Sequence, residues 1–87
     1  MPEAVSVYEV EDFDHWQSIW GANHTAHQAG GVRRQQLLLH PTHAKRFVVI
    51  REFDDLDQAR GYLASASRQR RMRDARVVEC TDYLPEG

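Results

Sequence analysis

A chain of 87 residues leaves room for one domain and no second core. At this size folding buries only about 60–65% of the unfolded surface, so a second subunit or a ligand is the expected source of further stability. The lone Cys80 excludes an internal disulfide, the run Phe47-Val48-Val49-Ile50 is too short to span a bilayer, and the net charge of −2 gives no overall attraction to nucleic acid.

The opening Met-Pro-Glu-Ala-Val has neither the basic start nor the apolar run of a secretion signal, and a single thiol suits a reducing compartment. The expected location is the cytoplasm. Val5-Ser6-Val7-Tyr8-Glu9-Val10 then alternates as a strand does. Asp12 stands where a helix N-cap belongs. Phe13, Trp16, Ile19 and Trp20 follow at helical spacing, His24 and His27 continue the stripe, and Gly30-Gly31 supplies a stop. The spacing predicts a helix over 12–29. Val32 to His40 reads as a second strand with Leu37-Leu38-Leu39 as its buried end. Pro41-Thr42-His43-Ala44 turns the chain, and Arg46 to Phe53 forms a third, more apolar strand, making an antiparallel hairpin. Asp54 is the expected cap of a second helix carrying Leu56, Ala59, Leu63 and Ala66. Ser65 and Ser67 either bend that helix or divide it. Val77 to Leu84 closes the chain as a fourth strand.

The order β-α-β-β-α-β is the split βαβ, or ferredoxin-like, α+β arrangement: a four-stranded antiparallel sheet with two helices on one face. Phe47-Val48-Val49-Ile50 carries apolar side chains on both faces of its strand, yet two helices cover only one face of the sheet. A second copy packed on the other face would keep that surface from water. A homodimer through the sheet is therefore expected, although the pattern does not say which face pairs. Arg68, Arg70, Arg71, Arg73 and Arg76 fall within nine residues, and such a run reads first as a solvated helix face.

The pair Val5-x-Val7, the helix opening Phe13-Asp14-His15-Trp16, its end Ala29-Gly30-Gly31-Val32, and Val48-Val49-Ile50-Arg51-Glu52-Phe53 leading into Asp54-Asp55-Leu56-Asp57-Gln58-Ala59-Arg60 resemble the dimeric α/β-barrel superfamily. That superfamily contains antibiotic-biosynthesis monooxygenase-like and stress-responsive barrel proteins. The resemblance covers roughly residues 4–84. It implies a homodimer whose two sheets form a barrel, helices outside, and a pocket in each subunit between helices and sheet. It also implies a range of activities, from cofactor-free oxygenases and small isomerases to proteins without a known reaction, so fold alone does not assign one. Haem-degrading members use an asparagine on the first strand, a tryptophan on a later strand and a histidine on the second helix. Here the first strand offers Ser6, Tyr8 and Glu9, both tryptophans are on the first helix, and no histidine follows His43.

Trp20, His24 and His27 stack on one helix face, with Trp16 and Asn23 beside them. An indole would pack against a flat ligand and an imidazole would bond it or move a proton, which makes His24 and His27 the catalytic candidates. Tyr8, Trp16, Trp20, Asn23 and Tyr62 are the ligand-binding candidates, for a small apolar or aromatic molecule. The plainer reading is core packing by the tryptophans with histidines at the wet end of the stripe. His24/His27 and His40/His43 both have His-x-x-His spacing, but no acid or cysteine completes a metal set, so no metal and no cofactor are expected. Cys80 lies near Glu79 and Asp82, which raise rather than lower a thiol pKa, and no serine sits in a nucleophile elbow. Lys45-Arg46-Phe47-Val48-Val49-Ile50 begins like an RNA-recognition strand, but lacks its glycine and second aromatic, so neither nucleic acid nor membrane is an expected partner. Two readings follow. One is a small-molecule-binding barrel, performing cofactor-free oxidation or proton transfer if catalytic. The other is a non-catalytic regulatory protein contacting its partner through residues 68–76.

Overall fold

The computed structural model describes residues 2–22 and 30–85. Its elements run β1 (Glu3–Val10), α1 (Phe13–Ala22), β2 (Arg34–Leu39), β3 (Arg46–Glu52), α2 (Leu56–Ala64), α3 (Ala66–Asp74) and β4 (Val77–Tyr83). The strands form one antiparallel sheet in the order β2-β3-β1-β4, the ferredoxin-like arrangement expected from the element order. The central pair keeps one register throughout, with Ser6 opposite Val49 and Tyr8 opposite Phe47.

Local chemistry sets the boundaries. Asp12 Oδ1 accepts the backbone N–H groups of Asp14 (3.0 Å) and His15 (3.3 Å), so Asp12 caps α1 as expected. The cap of α2 is Asp55 rather than Asp54, because Asp55 Oδ1 takes the Gln58 N–H at 2.8 Å. Asp54 instead pairs with Arg33 at 2.7 Å. Ser65 decides the fate of the second helix. Its backbone is extended, and its Oγ accepts the Arg68 N–H at 3.2 Å, ending α2 and capping α3. Three helices therefore stand among the described residues. Gly31 holds a φ of 91°, which side chains avoid, and so glycine is the residue that fits this turn. The expected continuation of the first helix to residue 29 lies outside the described residues.

Alternation sorts β1 and β3 cleanly. Ala4, Ser6, Tyr8 and Val10 of β1, with Phe47, Val49, Arg51 and Phe53 along β3, are buried. Two apolar clusters result. Tyr8, Val10, Trp16, Trp20, Phe47, Val49 and Ala75 make one, and Ala4, Phe53, Ala59 and Tyr62 the other. In the first, the Trp16 and Trp20 rings stack at 5.3 Å and Trp16 meets Phe47 at 4.3 Å. The opposite parity, Val5, Val7, Leu38, Val48 and Ile50, lies on the open face of the sheet, and Val7 and Leu38 are exposed. Leu37-Leu38-Leu39 is not the buried end expected. Leu39 is 63% exposed, because β2 is an edge strand with a neighbour on one side only.

Arg76 connects α3 to β4 with a φ of 58°, a left-handed geometry that is costly for a residue with a Cβ. Arg76→Gly should therefore stabilise the protein by about 0.5–1 kcal/mol, the gain being partly offset by a freer unfolded chain. Thermal unfolding at fixed protein concentration reads this directly, and a lower midpoint in the variant would refute it.

Candidate functional site

Ser6 on β1 and Arg51 on β3 interrupt the apolar rows between the two clusters. Ser6 stands between Ala4 and Tyr8, and Arg51 between Val49 and Phe53. The gap they leave is filled from α3. Arg68 and Arg71 lie three residues apart, hence on one side of the helix, and both are buried. Strand β4 adds Cys80 and Asp82, which the register sets opposite Tyr8 and Ser6.

These groups form one bonded network. Arg51 donates to Ser6 Oγ (3.2 Å), Tyr8 Oη (3.1 Å) and Gln35 Oε1 (3.2 Å). Arg68 Nη2 donates to Tyr8 Oη (3.0 Å), and its two terminal nitrogens reach the Asp82 carboxylate at 2.8 and 2.9 Å. Ser6 Oγ donates its own proton to Asp82 at 2.6 Å. Arg71 donates to Ser67 Oγ (2.7 Å) and Tyr62 Oη (3.4 Å). The Tyr62 ring lies within 6 Å of all three guanidiniums, at 5.2 Å from Arg51, 5.8 Å from Arg68 and 5.9 Å from Arg71.

The charges do not balance. Arg68 has Asp82, but Arg51 and Arg71 have only neutral hydrogen-bond partners, so two buried cations lack a carboxylate among the described residues. Burial raises the Tyr8 pKa despite the opposing pull of Arg51 and Arg68, so the ring stays a phenol at neutral pH. Both guanidiniums donate to its oxygen, which turns the O–H proton away from them. Burial would also raise the Asp82 pKa, but hydrogen bonds from Arg68 and Ser6 and the charge of Arg68 hold it below its usual value. Cys80 is pushed up, first by burial and then by Asp82, as its acidic surroundings suggest, and this is a poor nucleophile.

Two cavities bear on function. One of about 680 Å³ opens at the β2–β3 turn beside the start of α1, between Asp12, Asp14, His40, His43 and Lys45. Its histidines are engaged in the turn. His40 Nδ1 accepts the backbone N–H groups of Thr42 (3.1 Å) and His43 (2.9 Å), and His43 Nδ1 accepts that of Lys45 (3.3 Å). In the neutral rings the proton then sits on Nε2, which leaves no lone pair for a metal. The second cavity, about 400 Å³, lies at the α2–α3 junction and is lined by Gly30, Gln58, Gly61, Tyr62, Ser65, Ser67 and Arg71 among the described residues. It is the one that adjoins the polar network.

Of the expected site residues, Tyr8, Trp16 and Trp20 are core members, Tyr8 also bonding two of the three buried arginines, Arg51 and Arg68, and Tyr62 lines the second cavity. Asn23, His24 and His27 lie outside the described residues. The solvated-face reading of the arginine run needs correction. Arg70, Arg73 and Arg76 are exposed, whereas Arg68 and Arg71 turn inward, because Asp82, Ser67 and the aromatic rings of Tyr62 and Trp20 receive them. Ser6, Arg51, Arg68, Arg71 and Asp82 were not among the residues expected to form the site. One signal for Arg51 was present, since it shares the parity of Phe47, Val49 and Phe53, a row too apolar for a charge without purpose.

No protein-family model and no curated protein matches the chain. Solved structures do. The chain superposes on SnoaB, a cofactor-independent oxygenase from Streptomyces nogalater, with TM-score 0.75, 20% identity, and coverage of 99% of this chain and 91% of that one. A second structure, an antibiotic biosynthesis monooxygenase, gives TM-score 0.74 at 14% identity, covering 100% and 98% of the two chains. A Bordetella bronchiseptica protein assigned to the same class gives 0.79 at 10% identity, covering 99% and 95%. The fold is that of the antibiotic biosynthesis monooxygenase-like proteins, as the residue pattern led us to expect.

Proposed function

With that fold as the premise, we propose that the protein is a single-domain homodimeric barrel whose cleft at the α2–α3 junction receives a small, partly apolar molecule. The observation that carries this is a buried polar network set between two apolar clusters, next to a cavity of about 400 Å³. That volume is in the range of small-ligand sites, and a few placed polar groups on apolar walls are what such sites use for orientation. The open sheet face supports the homodimer, since its apolar row would otherwise stay wet.

Cofactor-free oxidation or proton transfer is the chemistry that this cleft suits. A substrate that loses a proton becomes an anion, and fixed guanidiniums in a water-poor site stabilise such charge strongly. Of the network's cations, Arg71 is the one that lines the cavity, with Tyr8, Arg51 and Arg68 buried behind it. His24 and His27 are the proposed proton carriers. The likeness to SnoaB supports this class without naming a substrate.

Native mass spectrometry of freshly purified protein should give twice 10.1 kDa plus a retained mass of a few hundred daltons. Dioxygen uptake over a panel of quinols and enolisable aromatic ketones then tests for oxidation. For any turnover found, the double substitution His24→Ala, His27→Ala should lower kcat at least about tenfold, the scale of general acid–base contributions being about 10²–10⁴. Unchanged turnover in that variant would remove the histidines from the mechanism.

A further inference from the structure

Arginine cannot shed its proton in a protein, so a buried guanidinium without an anion keeps an uncompensated charge. Arg71 is in that position. It is 6% exposed, and among the described residues its hydrogen-bond partners are the neutral oxygens of Ser67 and Tyr62. Of its five N–H donors these use two, and Nε is buried with no partner among the described residues. Arg51, wholly buried among Gln35, Ser6 and Tyr8, adds a second cation that none of them neutralises. The one acid in the network, Asp82, is held by Arg68. Outside the described residues, positions 23–29 contain neither Asp nor Glu, and Glu86 is the one acidic side chain.

Arg71 also borders a place where a ligand fits, although its Nε is buried. Arg71 lines the α2–α3 cavity together with Tyr62, Ser65, Ser67 and Gln58. Its guanidinium also lies 5.6 Å from the Trp20 ring and 5.9 Å from the Tyr62 ring. A cation with spare donors beside the flat Tyr62 ring matches a planar acid. The carboxylate would take the terminal nitrogens of the guanidinium, and the ring would lie against Tyr62.

We propose that the α2–α3 cavity binds a small aromatic carboxylate, with Arg71 as the group that recognises its charge. This rests on the small-molecule pocket argued above and names the class of its ligand.

Isothermal titration of the intact protein with 2-naphthoate and with its neutral counterpart 2-naphthamide tests it. Naphthoate should bind at least about tenfold more tightly, as a charge-assisted pair with a buried arginine requires. That preference should shrink as salt is raised, whereas naphthamide binding should not respond. Arg71→Gln should abolish the preference without lowering the unfolding midpoint, since Arg71 has no carboxylate to abandon. Arg71→Lys keeps the charge and should retain part of it. Equal affinity of the two probes for the wild type, with no salt effect, would overturn recognition of the carboxylate and leave the pocket standing. Recognition by Arg71 also falls if Arg71→Gln is folded by circular dichroism and keeps the full preference. Saturable binding of neither probe would overturn the pocket itself, and its ligand class with it.

Discussion

Asp82→Asn is expected to destabilise the protein by about 3 kcal/mol, a large share of the stability of a chain this size. Asp82 is the one carboxylate set among three inward-facing arginines. It accepts two hydrogen bonds from Arg68 and one from Ser6, and Arg68 is 1% exposed. Removing its charge leaves Arg68 as uncompensated as Arg51 and Arg71. Breaking a buried pair from one side costs about 3–5 kcal/mol, and the lower end applies because the Asp82 side chain keeps 28% of its exposure. Denaturant unfolding at fixed protein concentration measures the loss, and a change below about 1 kcal/mol would show that water, not Asp82, neutralises the cluster. Replacing both partners, Arg68→Met with Asp82→Leu, should cost less than Asp82→Asn alone.

The same bond predicts a pH dependence of known sign. The folded pKa of Asp82 lies below its ordinary value of 3.8, so the unfolded chain takes up the proton more readily. Its contribution is fully present above that value and is lost as pH falls through the folded pKa. Wild type should therefore weaken more steeply below about pH 4 than Asp82→Asn, which has no such proton to bind.

Ile50→Glu should split the proposed homodimer while leaving each subunit folded. Ile50 is opposite Val5 on one side and Gln36 on the other, and Val5 is opposite Tyr83, which completes one row across the open face. The next row is Leu38, Val48, Val7 and Thr81. If these rows meet their symmetry mates, each interface acquires two carboxylates in an apolar setting, and burying even one without a partner costs several kcal/mol. The dimer dissociation constant should rise at least about a hundredfold, or roughly 2.7 kcal/mol. Analytical ultracentrifugation over a dilution series reads it, with circular dichroism as the folding control. Val49→Glu is the contrasting variant. Val49 is wholly buried on the helix side, so that charge should unfold the subunit. A dimer of undiminished affinity in Ile50→Glu would move the interface elsewhere.

The amino-acid sequence by itself determined the element order. Alternation in β1 and β3, the Asp12 cap and the Pro41 turn act over a few residues and need no distant partner. The same local logic offered Ser65 as a place where a helix could divide, since a serine hydroxyl competes for backbone donors wherever it stands. Which parity of β3 faces the helices was not legible, because Phe47 and Val49 are no more apolar than Val48 and Ile50. Sidedness followed only when α1 laid Trp16 and Trp20 against Phe47. The cluster was hidden for the same reason. Arg68 and Arg71 sit in a run of arginines that looks solvated. The burial of Arg68 depends on Asp82, Ser6 and Tyr8, up to 62 residues away along the chain, and that of Arg71 on Ser67, Tyr62 and the distant Trp20 ring. Helix spacing can put two arginines on one side, but only a sheet that brings oxygen atoms and aromatic faces to meet them can turn that side inward.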